Sequence, residues 1–196
     1  MQKKVLVVVD YQYDFVKGAL PVPESETIAK AIQAEINSSK YDSVIYTLDT
    51  HVEEDYFVSE EAKSFPDIHC EFNTPGWELF KIQPRNREIN LILSEGVMEE
   101  PKDFSVNEEF VFMKDKFSIW EGNANYAKWF VETFPIDTEI VIVGVATNFC
   151  VRFNAIGYKE FGYENVYILE QAVKGIPTPE FEEVIQEIKD TGILFI

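Results

Sequence analysis

The stretch EIVIVGVATNFCV, residues 139–151, constrains this chain more than any other. Glu139 to Gly144 is the near-continuous apolar, β-branched run of a strand buried in a parallel sheet. Small residues follow at Gly144 and Ala146, then a polar pair, and after Cys150 the pattern turns helical. A strand that stops in a small-residue turn and restarts as a helix leaves backbone N–H groups converging on one spot. A cysteine on that first turn lies where the helix dipole favours a thiolate. The stretch therefore predicts an electropositive notch with a candidate nucleophile in it.

The rest of the chain alternates strand and helix signals around that unit. Residues 3–9 are a valine-rich strand ended by Asp10, and Gly18, Pro21 and Pro23 mark a loop over 11–23. Ile28, Ile32 and Ile36, four apart, predict one face of a helix over 25–38. Residues 43–48 read as a second strand, ended by Asp49. Residues 50–87 are long, acidic and irregular, the kind of connection that is usually functional. Residues 89–104 carry no clear pattern. Residues 110–113 form a short strand followed by Lys114, and Asn123 can cap a helix over 124–134. The helix opened by Cys150 extends to about Gly162, with a strand over 165–169 after it. Thr178 and Pro179 suit the N-cap and first position of a helix to Asp190, and 193–195 close the chain as a strand.

This alternation predicts a three-layer α/β fold, a Rossmann-like parallel sheet of about six strands with helices on both faces, in one domain over 1–196. In such sheets ligands bind beyond the carboxyl ends of the strands. A net charge of −18 argues against nucleic-acid or anionic-membrane partners. The apolar run from Val5 to Val9 is too short for a signal-peptide core or a membrane span. Two cysteines, Cys70 and Cys150, make no disulfide framework, so a reducing, cytoplasmic setting is expected. A homo-oligomer is left open.

Four polar residues fall at strand ends: Asp10, Asp49, Lys114 and, one turn on, Cys150. Each has an ordinary structural reading: a small buried cysteine, loop carboxylates, a surface lysine that Lys116 resembles. Each also has a chemical one. A thiol nucleophile needs a base and oxyanion donors, which Asp10 and the backbone of the turn 145–148 can supply. Lys114 facing both would hold the carboxylate and stabilise negative charge. Asp49-Thr50-His51 puts two side chains on one face of an extended segment, and His69 lies in the same long loop. One carboxylate and two imidazoles is a divalent-metal pattern, commonly zinc, with iron or manganese as alternatives. Glu60 or Glu61 could add an oxygen. Phe15, Phe65, Phe117, Trp120 and Phe149 flank these positions and could wall a pocket for a flat ring.

These segments resemble a known family. VVVDYQYDFVKGALPVP is similar to the opening of the isochorismatase-like cysteine hydrolases, above all their nicotinamidase (pyrazinamidase) branch. TLDTH and FPDIHCEFNTPGWEL are similar to that branch's metal loop, FMKDKFSIW to its lysine segment, and GVATNFCV to its nucleophile turn. The resemblance implies a catalytic triad of Asp10, Lys114 and Cys150 and a metal held by Asp49, His51 and His69. It also implies a cis peptide between Val145 and Ala146, oxyanion donors at Ala146 and Cys150, and a substrate pocket of Phe15, Leu20, Phe65, Phe117 and Phe149. The activity implied is metal-dependent hydrolysis of nicotinamide to nicotinate and ammonia through a thioester, a step of NAD salvage. The alternative keeps the thiol chemistry and changes the substrate to another small amide or ureido compound. A nucleotide-binding module is a third reading, disfavoured because no strand leads into a glycine-rich phosphate loop. Two positions depart from the family pattern: Phe117 precedes Ser118 where tyrosine is usual, and Asn148 stands where aspartate is common.

Overall fold

In the computed structural model, which describes residues 2–86, 90–92 and 109–196, the apolar runs become one parallel sheet. Its strands are β1 (Lys4–Val9), β2 (Ser43–Asp49), β3 (Asn90–Ile92), β4 (Glu109–Lys114), β5 (Glu139–Val145), β6 (Val166–Lys174) and β7 (Leu194–Phe195). They lie in the order β3-β4-β2-β1-β5-β6-β7, every neighbouring pair parallel. There are seven strands rather than about six, the addition being the short edge strand β3. It falls within residues 89–104, where the sequence carries no clear pattern; the other residues of that stretch lie outside those described.

The period of two along β1 assigns the layers. Leu6 and Val8 face one side, where they join Ile28, Ile32 and Ile36 in one buried cluster. The spacing of those isoleucines holds, although the first turn, Ser25–Ile28, is 3₁₀ and the α-helix proper is α2 (Ala29–Ile36). Val5, Val7 and Val9 face the other side and meet a second cluster. Its helices are α6 (Tyr126–Thr133), α7 (Arg152–Glu160) and α8 (Phe181–Asp190). Four short turns of helix complete the chain: α1 (Tyr13–Val16), α3 (Glu53–Tyr56), α4 (Glu61–Ser64) and α5 (Ile119–Gly122). Each fully buried Val, Leu or Ile stabilises the fold by about 1.5–3 kcal/mol, so both faces of the central strands are strongly fixed.

Three boundaries differ from the sequence reading, each for a local reason. The Asn123 side chain accepts the Asn125 N–H at 3.0 Å but also donates to the Met113 carbonyl at 2.8 Å, and the helix starts at Tyr126. Thr178 offers its backbone oxygen rather than its hydroxyl to Phe181, and α8 begins there. β6 runs on to Lys174 because its pairing with β5 slips between Ile142 and Gly144 and resumes at Val173. Gly144 permits this: its φ is +114°, and a Cβ there would lie 2.0 Å from the Val9 carbonyl oxygen. Among the described residues no helix is long and apolar enough to cross a membrane.

Candidate active site

The strand order reverses direction around β1, whose neighbours are β2 and β5, and β4 lies beyond β2. Asp10, Asp49, Lys114 and Cys150 follow or end these four adjacent strands. Asp49 and Lys114 are register partners across β2 and β4. The chain turns out of β1 at Asp10 with φ +45°, a left-handed conformation that aspartate tolerates better than most residues.

The Lys114 side chain is fully buried and makes two ion pairs, to Asp10 Oδ2 at 2.8 Å and Asp49 Oδ1 at 2.9 Å. Its Nζ also lies 3.8 Å from Cys150 Sγ. Lys116 is exposed and takes no part. Asp10 Oδ1 accepts the Thr47 hydroxyl at 2.5 Å. Cys150 sits in a single wide turn, Thr147–Val151, ahead of α7, and the Val145–Ala146 peptide is cis. The helix proper thus begins at Arg152, two residues after the cysteine.

The charges in this pocket are set by burial and by one shared cation. Burial pushes the Asp10 carboxyl up; Lys114 pulls against it, Asp49 adds to the rise, and the net shift is upward. Burial also pushes the Cys150 thiol well up, with Lys114 opposing. For Asp49 burial works upward too, but Lys114 and then His51 outweigh it and hold the carboxyl well below its usual range. Burial disfavours the Lys114 ammonium, but Asp10 and Asp49 more than compensate and keep it charged. Burial thus favours the neutral thiol at Cys150, and Lys114 is the group that opposes the rise at both Cys150 and Asp10.

A second cluster shares Asp49. Its Oδ2 lies 3.0 Å from His51 Nε2 and 3.4 Å from His69 Nε2. Glu61 joins them, with oxygens 3.3 Å from His69 Nε2 and 3.8 Å from His51 Nε2. All four residues are buried, and one ligand atom from each lies within 4.8 Å of the others. Glu60 instead points to solvent and pairs with Lys63. The donor set fits a divalent cation. Ligands at about 2.0–2.2 Å from zinc stand roughly 3.0–3.5 Å apart in tetrahedral or octahedral arrangement. His69 Nε2 and one Glu61 oxygen are buried without a hydrogen-bond partner, as ligands facing a cation would be. The two carboxylates outweigh burial and push the His69 imidazole up to about 10, drawing positive charge to this point. On its other side, His69 Nδ1 faces the Tyr56 hydroxyl and the Asp67 carbonyl, each at 3.2 Å. Such outer partners fix the orientation of a ligating ring.

Rings close the space between the clusters. Phe65 meets Phe149 at 5.2 Å and Phe117 at 6.2 Å between centroids, and Phe117 meets Phe149 at 5.7 Å. Phe15 packs edge-on to His69 at 5.3 Å. Leu20 is half-buried against the cluster that contains Phe15. Trp120 turns away: it stacks on Phe161 at 4.4 Å and donates to the Asn154 carbonyl at 3.1 Å. Sequence reasoning passed over Thr47, Gln12, Asp14 and Tyr56. Thr47 left a trace, a polar residue inside an apolar strand two positions before Asp49.

A Rossmann-like parallel α/β sheet with a buried acid–histidine cluster of metal-binding type at its switch point is thus the class defined. No family model matches the chain. It is similar to the pyrazinamidase of Pyrococcus horikoshii in complex with zinc, with 30% identity, 99% of this chain and 98% of that one covered, and a TM-score of 0.72. It is 26% identical to a nicotinamidase of Schizosaccharomyces pombe, over 96% of this chain and 90% of that one. The PnC1 protein of L. infantum, solved in complex with nicotinate, shares the fold, with a TM-score of 0.76 at 20% identity, over all of this chain and 92% of that one. The chain belongs to the isochorismatase-like hydrolases, in their nicotinamidase/pyrazinamidase branch.

Proposed function

We propose that this hydrolase is a metal-dependent cysteine amidase that converts nicotinamide to nicotinate and ammonia. The observation that carries the reading is the buried ammonium of Lys114, in contact with Asp10, Asp49 and Cys150 at once. Asp10 takes the proton of the Cys150 thiol, and the sulfur attacks the amide carbonyl carbon. Lys114 holds the Asp10 carboxylate in place and stabilises negative charge on the sulfur as it forms. The backbone N–H groups of Ala146 and Cys150 receive the oxyanion. As the C–N bond breaks, protonated Asp10 returns the proton to the departing nitrogen, which leaves as ammonia. Asp10 then takes a proton from water, the hydroxyl adds to the thioester carbonyl, and collapse expels the sulfur, which takes the proton back from Asp10 to give the carboxylic acid and the free enzyme. A divalent cation held by Asp49, His51, His69 and Glu61 would supply a Lewis-acid anchor for the ring nitrogen. Phe15, Leu20, Phe65, Phe117 and Phe149 pack against the flat ring and exclude water from it. The reaction returns nicotinamide to pyridine nucleotide synthesis.

The test is ammonia release by the purified protein from nicotinamide and from a panel of small amides and ureido compounds, with and without chelator, alongside elemental analysis. Nicotinamide turnover that chelation abolishes and added metal restores is expected. No ammonia from nicotinamide with metal present overturns the substrate assignment. Chelator-insensitive turnover of another amide or ureido compound would establish the rival reading.

A further inference from the structure

The segment after β1 reaches beyond the thiol site. Its side chains at 10, 12 and 14 each grip a different part of the pocket. Asp10 meets Lys114. Gln12 pairs with both backbone groups of Asp49, donating to its carbonyl at 2.8 Å and accepting its N–H at 2.8 Å. Asp14 Oδ2 accepts the Cys70 N–H at 2.7 Å, and its Oδ1 accepts the Ala19 N–H at 3.1 Å.

Cys70 follows His69 directly and has φ +47°, a left-handed conformation that non-glycine residues hold only when their surroundings impose it. Its N–H is fixed by Asp14, and its carbonyl accepts the His51 N–H at 3.1 Å. The Asp14 carboxylate is half-buried, and two glycines approach it closely. A Cβ on Gly18 would lie 1.9 Å from Oδ1, and one on Gly76 would lie 2.2 Å from Oδ2. Two loops thus close on one side chain that anchors the turn between His69 and the strand-like pairing beside His51.

We infer that Asp14, with Gln12 beside it, is a positioning residue for the cation site: it sets the Cys70 peptide and through it the approach of His69 to Asp49, His51 and Glu61. This rests on reading those four residues as metal ligands. The role needs two acceptor oxygens on one short side chain. Asparagine has the shape but one acceptor, and its NH₂ would face a backbone N–H.

The experiment uses full-length wild-type and Asp14→Asn protein, stripped with EDTA and titrated with zinc in competition with a chromophoric chelator. Melting curves are recorded with and without zinc. Zinc affinity roughly 10- to 100-fold weaker in D14N is expected, the range found when partners behind metal ligands are removed. The zinc-free melting curve should change little, and the zinc-induced rise in melting temperature should shrink. Wild-type zinc affinity in D14N overturns the inference, as does a lowered zinc-free melting temperature with affinity intact, which would mark Asp14 as structural only. A wild-type chain that takes up no zinc, manganese or iron overturns the ligand reading itself, and the inference with it. If D14N does not fold, Gln12→Glu, which cannot donate to the Asp49 carbonyl, is put through the same titration. Weakened zinc binding supports the positioning role, and unchanged binding overturns it.

Discussion

Lys114→Met tests the electrostatic core of the site. The substitution keeps length and apolar bulk and removes the charge that Asp10 and Asp49 share at 2.8 and 2.9 Å. At an effective dielectric of about 20, each contact carries roughly 6 kcal/mol of attraction, most of it offset by the cost of dehydrating three buried charges. Removing one partner from a buried ion pair costs about 3–5 kcal/mol in practice, because the other charge is left without compensation. For a chain of this size that is a fall in melting temperature of roughly 6–20 °C.

The pH dependence separates this cause from lost packing. Burial already raises the Asp10 carboxyl and Lys114 opposes it, so without Lys114 the folded-state value rises further. A carboxyl raised in the folded state stabilises the fold below its unfolded value, about 3.9, and loses that contribution as pH climbs through the folded value. Asp49 shifts the same way once Lys114 is gone, because burial remains. The deficit of K114M should therefore be smallest at pH 5 and grow toward pH 8. Urea denaturation of metal-free wild type and variant across that range reads it, starting above the sequence pI of about 4.4 to avoid precipitation. A deficit below about 1 kcal/mol at pH 8 would refute the shared-cation account, since it is well short of the buried-pair cost. A deficit that does not vary with pH would assign the loss to packing.

Three further outcomes follow. Cys150→Ala should remove turnover by at least about 10³-fold while leaving the far-UV spectrum intact, since it removes the thiol beside Lys114; substantial residual activity would discard the thiol mechanism. The acid limb of kcat/KM should inflect above the ordinary aspartate value of 3.8, because Asp10 must be ionised to accept the thiol proton and burial raises it. An inflection at or below 3.8 would point to another base. Gly144→Ala should destabilise by about 2–5 kcal/mol, combining a positive φ with overpacking against the Val9 carbonyl; a thermal melt within 2 °C of wild type would contradict the approach described.

β1, β2 and β4 and their polar ends were legible because each is an apolar run, buried on both faces, that stops at one charged residue. Val5 to Val9 then Asp10 leaves little room for another reading. The layers were legible for the same reason, through the spacing of Ile28, Ile32 and Ile36. What escaped depends on contacts that the sequence does not order. Glu60 and Glu61 are chemically alike, and only the start of α4 decides that Glu61 turns inward while Glu60 pairs with Lys63 at the surface. β3 has three residues, too few for a periodic signal. Gln12 and Asp14 act on backbone groups of Asp49 and Cys70, contacts across about 37 and 56 positions that no local pattern announces.

Asp49 joins the two halves of the site, and the division of its oxygens explains why they lie side by side. Oδ1 meets the Lys114 ammonium, which also approaches Cys150, and Oδ2 meets the histidines, so one carboxylate faces both clusters together. The sheet order makes this arrangement compact. Lys114 and Asp49 come from paired strands in register, Asp10 from the next strand, and Cys150 from the one after. Positive charge beside Oδ2 offsets part of the negative charge of Asp49, one of the groups that raise the Cys150 thiol. Positive charge at the histidine cluster and negative charge on Cys150 therefore favour each other, through groups that are all buried and little screened by salt.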